Sequence, residues 1–353
     1  MSENKIDDLR KIQEFRNVSF SNYKKSDVKK ELTKSIQANK IEDSCYWTAE
    51  LICSGHFMFL WEILFNIMSK NIHIGNPKLP IYIQLRLEAF RDIVNNGFSD
   101  HLIKLRNNDK IRKLFAEIIA ILCFSKKKNS FDIPKIKQTD FNFINLTERL
   151  CATSKHLINK VFKKEDPHEI FIPLNEFAWS ISKKVQDNFK ANYWIEWILE
   201  YHKICRKNKT KKECAARNLN IDKKFQKEMI WILWDLILEE SKRRNNGTEK
   251  IIDSLINLYS LRYKESTKYK RKLIIYYAVA LLTENVNLNT SVITNKQKIE
   301  KLKKQINIIY GEIKKNEKKP STSYLFNGLE NNNAEKTANK LDKLNMIGYI
   351  PRS

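Results

Sequence analysis

The stretch "HKICRKNKTKKEC" brings His202, Cys205 and Cys214 close together in sequence. The His-x-x-Cys spacing puts two ligands on one helical turn, and Cys214 can return from a loop, which is how a zinc site begins. A structural zinc needs four ligands, and no second close pair stands nearby, so no metal is expected. Cys205 can instead pack on the helical face of Trp194, Ile198 and Tyr201. There is no Gly-x-Ser-x-Gly turn for a nucleophile and no Gly-x-x-x-x-Gly-Lys-Ser/Thr loop for a phosphate. The six histidines (His56, His73, His101, His156, His168 and His202) do not cluster. The chain is therefore read as a non-enzyme with no catalytic residue and no cofactor.

Its cations are the other chemical resource. Lys126, Lys127 and Lys128 form one cluster; Arg206, Lys207, Lys209, Lys211 and Lys212 form a second; Arg243 with Arg244, and Lys270 with Arg271 and Lys272, form two more. All fall in or beside expected loops. Cations there can track nucleic-acid phosphates without reading bases. Their alternative role is to complement the negative C-terminal ends of helices. Tyr259, Tyr263 and Tyr269 lie in or near the last cluster and suit base stacking or a core. At the C-terminus, Lys343, Met346, Tyr349 and Ile350 fall at offsets 0, 3, 6 and 7. That spacing resembles the peptide by which many replication proteins bind sliding clamps, with Lys in place of Gln and Ile in place of one aromatic. The alternative is a loose tail with a mildly apolar end.

Elements rich enough to carry these groups follow from composition. The chain has 353 residues, 42% of them hydrophobic, with only 7 Gly and 7 Pro, which favours helices over strands or disorder. A net charge of +24 calls for an anionic partner, nucleic acid first and DNA before RNA, with an acidic protein or membrane surface behind it. Lys/Asn/Ile bias from AT-rich coding is the bland alternative. The scattered cysteines read as small core residues in a reducing compartment. "MSENKIDDLRK" has no apolar signal core, and no run of about 18 uncharged apolar residues exists, so a soluble, intracellular protein without a membrane partner is expected.

Helical periodicity predicts an all-α antiparallel array of about ten to twelve helices. Residues 1–26 read as a flexible arm, 27–125 as a first helical domain, 126–144 as a basic linker, 145–318 as a second helical domain, and 319–353 as a disordered tail. In the first domain Ser26-Asp27 is expected to cap a helix, Gly55 to end the next, and Asn76-Pro77 to start a later one. Tyr46, Trp47, Trp61, Pro77, Tyr193, Trp194 and Trp231 are the expected structural core. In the second domain, helices are expected over about 145–163, 173–190, 192–206, 223–242, 248–264 and 268–284. "SCYWTAELICSGH" and "ANYWIEWILEYHKIC" share Tyr-Trp and the aliphatic positions after it, so the two halves read as related helical-hairpin units. Ile299, Leu302, Ile306, Ile309 and Ile313 make a short heptad stripe, expected to dock on the body; pairing with a partner is the alternative.

One segment also resembles a known family. In residues 32–80, Lys34, Ser35, Ile36, Asp43, Tyr46, Trp47, Ala49, Gly55, Ser69, Ile72, Gly75, Asn76 and Pro77 match the helical collar of clamp-loader AAA+ proteins, of the RarA/Werner-helicase-interacting type. The resemblance implies helices that assemble oligomers beside DNA and carry no catalysis. The ATPase half of that family has no counterpart here. The whole chain further resembles uncharacterised all-helical proteins of nucleocytoplasmic giant DNA viruses, which implies host cytoplasm or virion as its location. The resulting expectation is a basic factor in viral DNA replication or genome handling, binding phosphates and protein partners such as a sliding clamp or replication complex. A virion scaffold and an RNA-binding helical-repeat adaptor are the alternatives.

Overall fold

Several helices begin where Asn or Asp can take up an orphan amide. Asn108 accepts from the Ile111 N–H, Asp187 from Lys190, Asn245 from Thr248 and Asn295 from Lys298. The computed structural model describes residues 4–98, 101–130, 133–210 and 212–318. Every regular element in them is helical: α1 (Lys25–Gln37), α2 (Ile41–Cys53), α3 (Phe57–Ile67), α4 (Leu79–Asn95), α5 (Asp109–Phe124), α6 (Phe143–Thr147), α7 (Phe171–Ile181), α8 (Asn188–Lys207), α9 (Ile230–Ser241), α10 (Asn246–Ser260), α11 (Thr267–Lys270), α12 (Lys272–Thr283) and α13 (Lys296–Lys314). The expected all-α architecture is what the chain adopts. No helix among the described residues is long and apolar enough to cross a membrane.

The Gly55 stop is met in detail. With φ +75° it lets the His56 N–H reach the Leu51 carbonyl (2.8 Å) and its own N–H reach Ile52 (3.0 Å), closing α2. The turn sends α3 into the core. There Trp61 stacks within 5.4 Å of Phe115 and 5.8 Å of Phe90, and Phe57 lies 5.4 Å from Phe90. A π turn (Met68–Ile72) and a 3-10 turn (His73–Gly75) follow α3.

Two helix starts and one core pair differ from expectation. Helix α1 begins at Lys25 with no side-chain cap, leaving Ser26 and Asp27 inside its first turn. Asn76 does not cap: its Nδ2 donates to Ser125 Oγ (2.9 Å), its Oδ1 accepts no bond among the described residues, and Pro77 lies in a buried turn; Pro80 is the proline at the start of α4. Tyr46 and Trp47 are half-buried, packed edge to face on each other and, for Trp47, on Tyr23. The core is built instead on Trp61, Trp194 and Trp231, with Tyr193 at its edge.

The second half departs further. Residues 148–167 form turns rather than a helix, because neighbouring side chains take their backbone donors. Glu176 accepts from Cys151 (2.8 Å) and Ala152 (3.0 Å), and Asn175 from Leu157 (3.1 Å). Helix α7 stops at Ile181, about nine residues early, and α9 starts only at Ile230 after a 3-10 turn at Lys223–Phe225.

Packing does not follow the 126–144 boundary. Helix α10 packs on α4, α12 on α3, and α13 on α2 and α5, so one continuous hydrophobic cluster runs through both halves. The heptad stripe docks on the body: Ile299, Ile306, Tyr310 and Ile313 are buried, and the Arg112 guanidinium sits 4.0 Å over the Tyr310 ring. Residues 4–24 are no free arm. Ile6, Phe15 and Phe20 are buried, and Arg10 pairs with Asp8 (2.7 Å) while lying 4.7 Å from both Phe rings. Asp8 in turn accepts from the Lys318 N–H (2.7 Å), tying the start of the chain to the end of α13.

Candidate nucleic-acid interface

Helix α8 ends on cations. Its last turn carries Arg206 and Lys207, whose charge complements the exposed carbonyls of that end. The chain then turns through Lys209, held at φ +56°, as the Thr210 N–H returns to the Cys205 carbonyl (2.9 Å). A buried ion cluster fixes the loop beyond. Asp166 receives two guanidinium bonds from Arg217 (2.7 and 2.8 Å) and the N–H groups of Ala215 (2.9 Å) and Lys163 (2.8 Å). Burial opposes ionisation of Asp166, but Arg217 and those amides outweigh it and hold the carboxyl below its usual range. The Cys214 and Arg217 N–H groups bond the Lys227 and Gln226 carbonyls, which bring Lys224 and Lys227 alongside.

The result is a cleft of about 490 Å³ at the end of α8, lined by Arg206, Lys209, Lys212, Lys224 and Lys227 over a floor of Cys205 and Phe225. Lys268 joins α11 to it. Its ammonium is wholly buried, donates to Glu228 (2.8 Å), and stands 3.5 Å from His202 Nδ1. Burial first, then Lys268 and Arg206, push the His202 imidazole down to about 4.

No family model, no curated protein and no solved structure matches the chain. The site therefore rests on its own geometry.

That geometry brings one of the four predicted clusters to the cleft. The 206–212 cluster lines it, with Arg206 paired to Glu265, while Arg271 and Lys272 of the 270–272 cluster are spent on Glu62 and Glu196. Lys207, Lys209 and Lys270 are exposed, with no ion-pair partner among the described residues. Lys212 is exposed but bonded to Glu169 (2.5 Å), and Lys211 lies outside the described residues. Lys126 is exposed elsewhere, and Lys128 pairs with Glu284 (2.6 Å) at the far end of α12. Arg243 is exposed on α9's end, paired with Glu240 (3.3 Å). Lys343, Met346, Tyr349 and Ile350 lie outside the described residues.

Four predicted phosphate contacts are structural instead. Lys127 caps α5, donating to the carbonyls of Leu122, Cys123 and Ser125 and to Asn39 (2.8–3.0 Å). Arg244 donates to the Ile181 carbonyl (3.0 Å) and pairs with Glu240 (3.1 Å). Buried Arg271 spends its guanidinium on Glu62 and the Leu258, Tyr259 and Leu261 carbonyls. Lys272 is held by Glu196 at 2.9 Å. Tyr259 and Tyr263 are core residues; only Tyr269 is exposed, at 38%.

His202, Cys205 and Cys214 do not form a ligand set: among the described residues no three His, Cys, Asp or Glu groups are placed to hold a metal ion. Cys205 and Cys214 are buried, and burial pushes the Cys214 thiol up to about 12. Sequence reading missed Lys224 and Lys227, which belong to the cleft, and the acids Glu169, Glu213, Glu228 and Glu265, which temper its charge. The Lys223-Lys224 and Lys227 spacing was the available signal.

Proposed function

We propose that the chain is a non-enzymatic scaffold that binds the nucleic-acid backbone without reading sequence, DNA in preference to RNA, in replication or genome handling. The observation that carries this reading is where the charge sits. Among the described residues, burial removes six acids (Asp8, Glu50, Asp140, Asp166, Glu176, Glu240) and six bases (Arg10, Arg106, Arg112, Arg217, Lys268, Arg271). The core is balanced, so the surplus of +24 is left to the rest of the chain. Unpaired Lys207 and Lys209 stand beside Lys224 and Lys227 at one cleft at the end of α8, the arrangement that phosphate tracking needs. The collar resemblance of residues 32–80 supports a second role, presenting a helical hairpin to protein partners at a viral replication site.

The test is binding to labelled duplex DNA, single-stranded DNA and RNA at low and moderate salt. Salt-sensitive binding with duplex preferred supports the reading. A preference for single-stranded RNA moves the protein to RNA handling. No binding at either salt moves it to a virion scaffold whose charge meets an acidic protein.

A further inference from the structure

A second cavity, of about 300 Å³, opens between the start of α1, the α2–α3 turn, α4 and the loop after α10. Its walls are hydrocarbon: Phe57, Phe59, Leu87, Phe90 and Leu261 supply them, with Leu87, Phe90 and Leu261 at most 6% exposed. Three cations, Lys25, Arg91 and Arg262, line it. No carboxylate lines it among the described residues, and none of the three cations has an ion-pair partner there. The α8 cleft differs, since Glu213, Glu228 and Glu265 line it. Lys25 lies 4.7 Å over the Phe59 ring, and its burial lowers its affinity for the proton.

The backbone around this cavity is held in place at a cost. Arg262 sits at φ +45°, a region that residues with a side chain rarely adopt. Arg271 fixes the turn before it, donating to the Leu258 (3.2 Å), Tyr259 (2.8 Å) and Leu261 (2.7 Å) carbonyls while Glu62 of α3 anchors its other edge. Backbone held in such conformations collects at ligand clamps.

We propose that this cavity binds an apolar-tailed anion: a carboxylate or phosphate held by Lys25, Arg91 and Arg262, with a hydrocarbon tail in the aromatic interior. A volume of about 300 Å³ takes on the order of ten heavy atoms at ~30 Å³ each. A nucleobase fits the chemistry poorly. Beyond the three cations, which can only donate, the lining offers a base edge only the Asn95 amide and His56, whose Nε2 is already 2.9 Å from the Val18 carbonyl. Unpaired base edges would be costly there, whereas a hydrocarbon tail asks for no partner. The site goes beyond the nucleic-acid reading and stands or falls without it.

The test compares decanoate, decylammonium and decanol by thermal shift and calorimetry on the full chain. Decanoate should bind with a dissociation constant on the order of 0.1 mM and raise Tm; the other two should not. Lys25→Glu/Arg91→Glu should weaken decanoate at least tenfold and leave DNA affinity nearly unchanged. Lys209→Glu should weaken DNA and spare decanoate. Decyl phosphate in place of decanoate distinguishes the head group, tighter binding assigning a phosphate. Equal shifts from decylammonium or decanol, no decanoate binding up to millimolar, or wild-type binding by the double variant would overturn the proposal.

Discussion

Among the described glycines, Gly75 makes the tightest backbone approach. A Cβ built there stands 2.2 Å from the Lys126 carbonyl oxygen and 3.0 Å from its carbon. Neither atom belongs to a flexible side chain, so Gly75→Ala must move backbone. The segment that must move is tied down: the Lys128 N–H bonds the Asn71 carbonyl (3.0 Å) and the Ser130 N–H bonds Lys70 (2.8 Å). Relief to an ordinary contact needs a shift of about 1 Å, which strains both bonds, at ~1 kcal/mol each. Overpacking adds ~1–3 kcal/mol. The variant should lose about 3 kcal/mol, read as a lower denaturation midpoint at unchanged m. Gly311→Ala is the control. Its new Cβ meets only the Asn4 side-chain oxygen, at 3.1 Å, and alanine in mid-helix gains up to ~1 kcal/mol over glycine. Gly311→Ala should be neutral or stabilising. A Gly75→Ala protein within 0.5 kcal/mol of wild type, on the order of an unperturbed surface site, would refute the reasoning.

Two further predictions concern buried charge. Arg217→Met strands Asp166, whose side chain is 0% exposed, and should cost ~3–5 kcal/mol; adding Asp166→Asn should recover more than half of that loss in the same denaturation assay. His73 is 1% exposed and stacks on Tyr277 at 4.9 Å, and neither ring nitrogen finds a hydrogen-bond partner. Burial first, then Lys128, push its imidazole from 6.5 down to about 4. Between those values the unfolded chain binds the proton and the folded chain does not. Stability is therefore full above about pH 6.5 and falls toward pH 4, by up to ~3 kcal/mol. His73→Phe should keep the stacking and flatten this limb; an unchanged pH profile would refute the assignment.

Periodicity made the first half legible because its apolar residues recur at helical spacing, and two of its helices, α2 and α4, stop at glycines. Gly55 and Gly97 both take left-handed φ after the helices they end. The second half was less legible because its stops are made by distant carboxylates. Nothing local in "LTERLCATSKHL" announces that Glu176 and Asn175 will take its amides. The same physics hid the ordered start of the chain, where Asp8, paired with Arg10 two residues on, also takes the N–H of distant Lys318. For the interface, residue type alone could not separate cations that bind outward from cations that brace the fold. Lys127 and Arg271 look like Lys126 and Lys270 in sequence, and only the carbonyls converging on them tell the difference. The apolar cavity was invisible for a related reason: Lys25, Arg91 and Arg262 come from three separate elements.

The central claim is tested most directly by the salt dependence of duplex binding. Anisotropy titrations from 50 to 200 mM salt, on two unrelated duplexes, give the number of phosphates neutralised. About five contacts predict a log–log slope of about −4 to −5, the same for both sequences, and Lys207→Glu/Lys209→Glu should reduce its magnitude by about 2. Affinity that stays flat with salt, or a slope untouched by the double reversal, would contradict a phosphate-tracking interface at the end of α8.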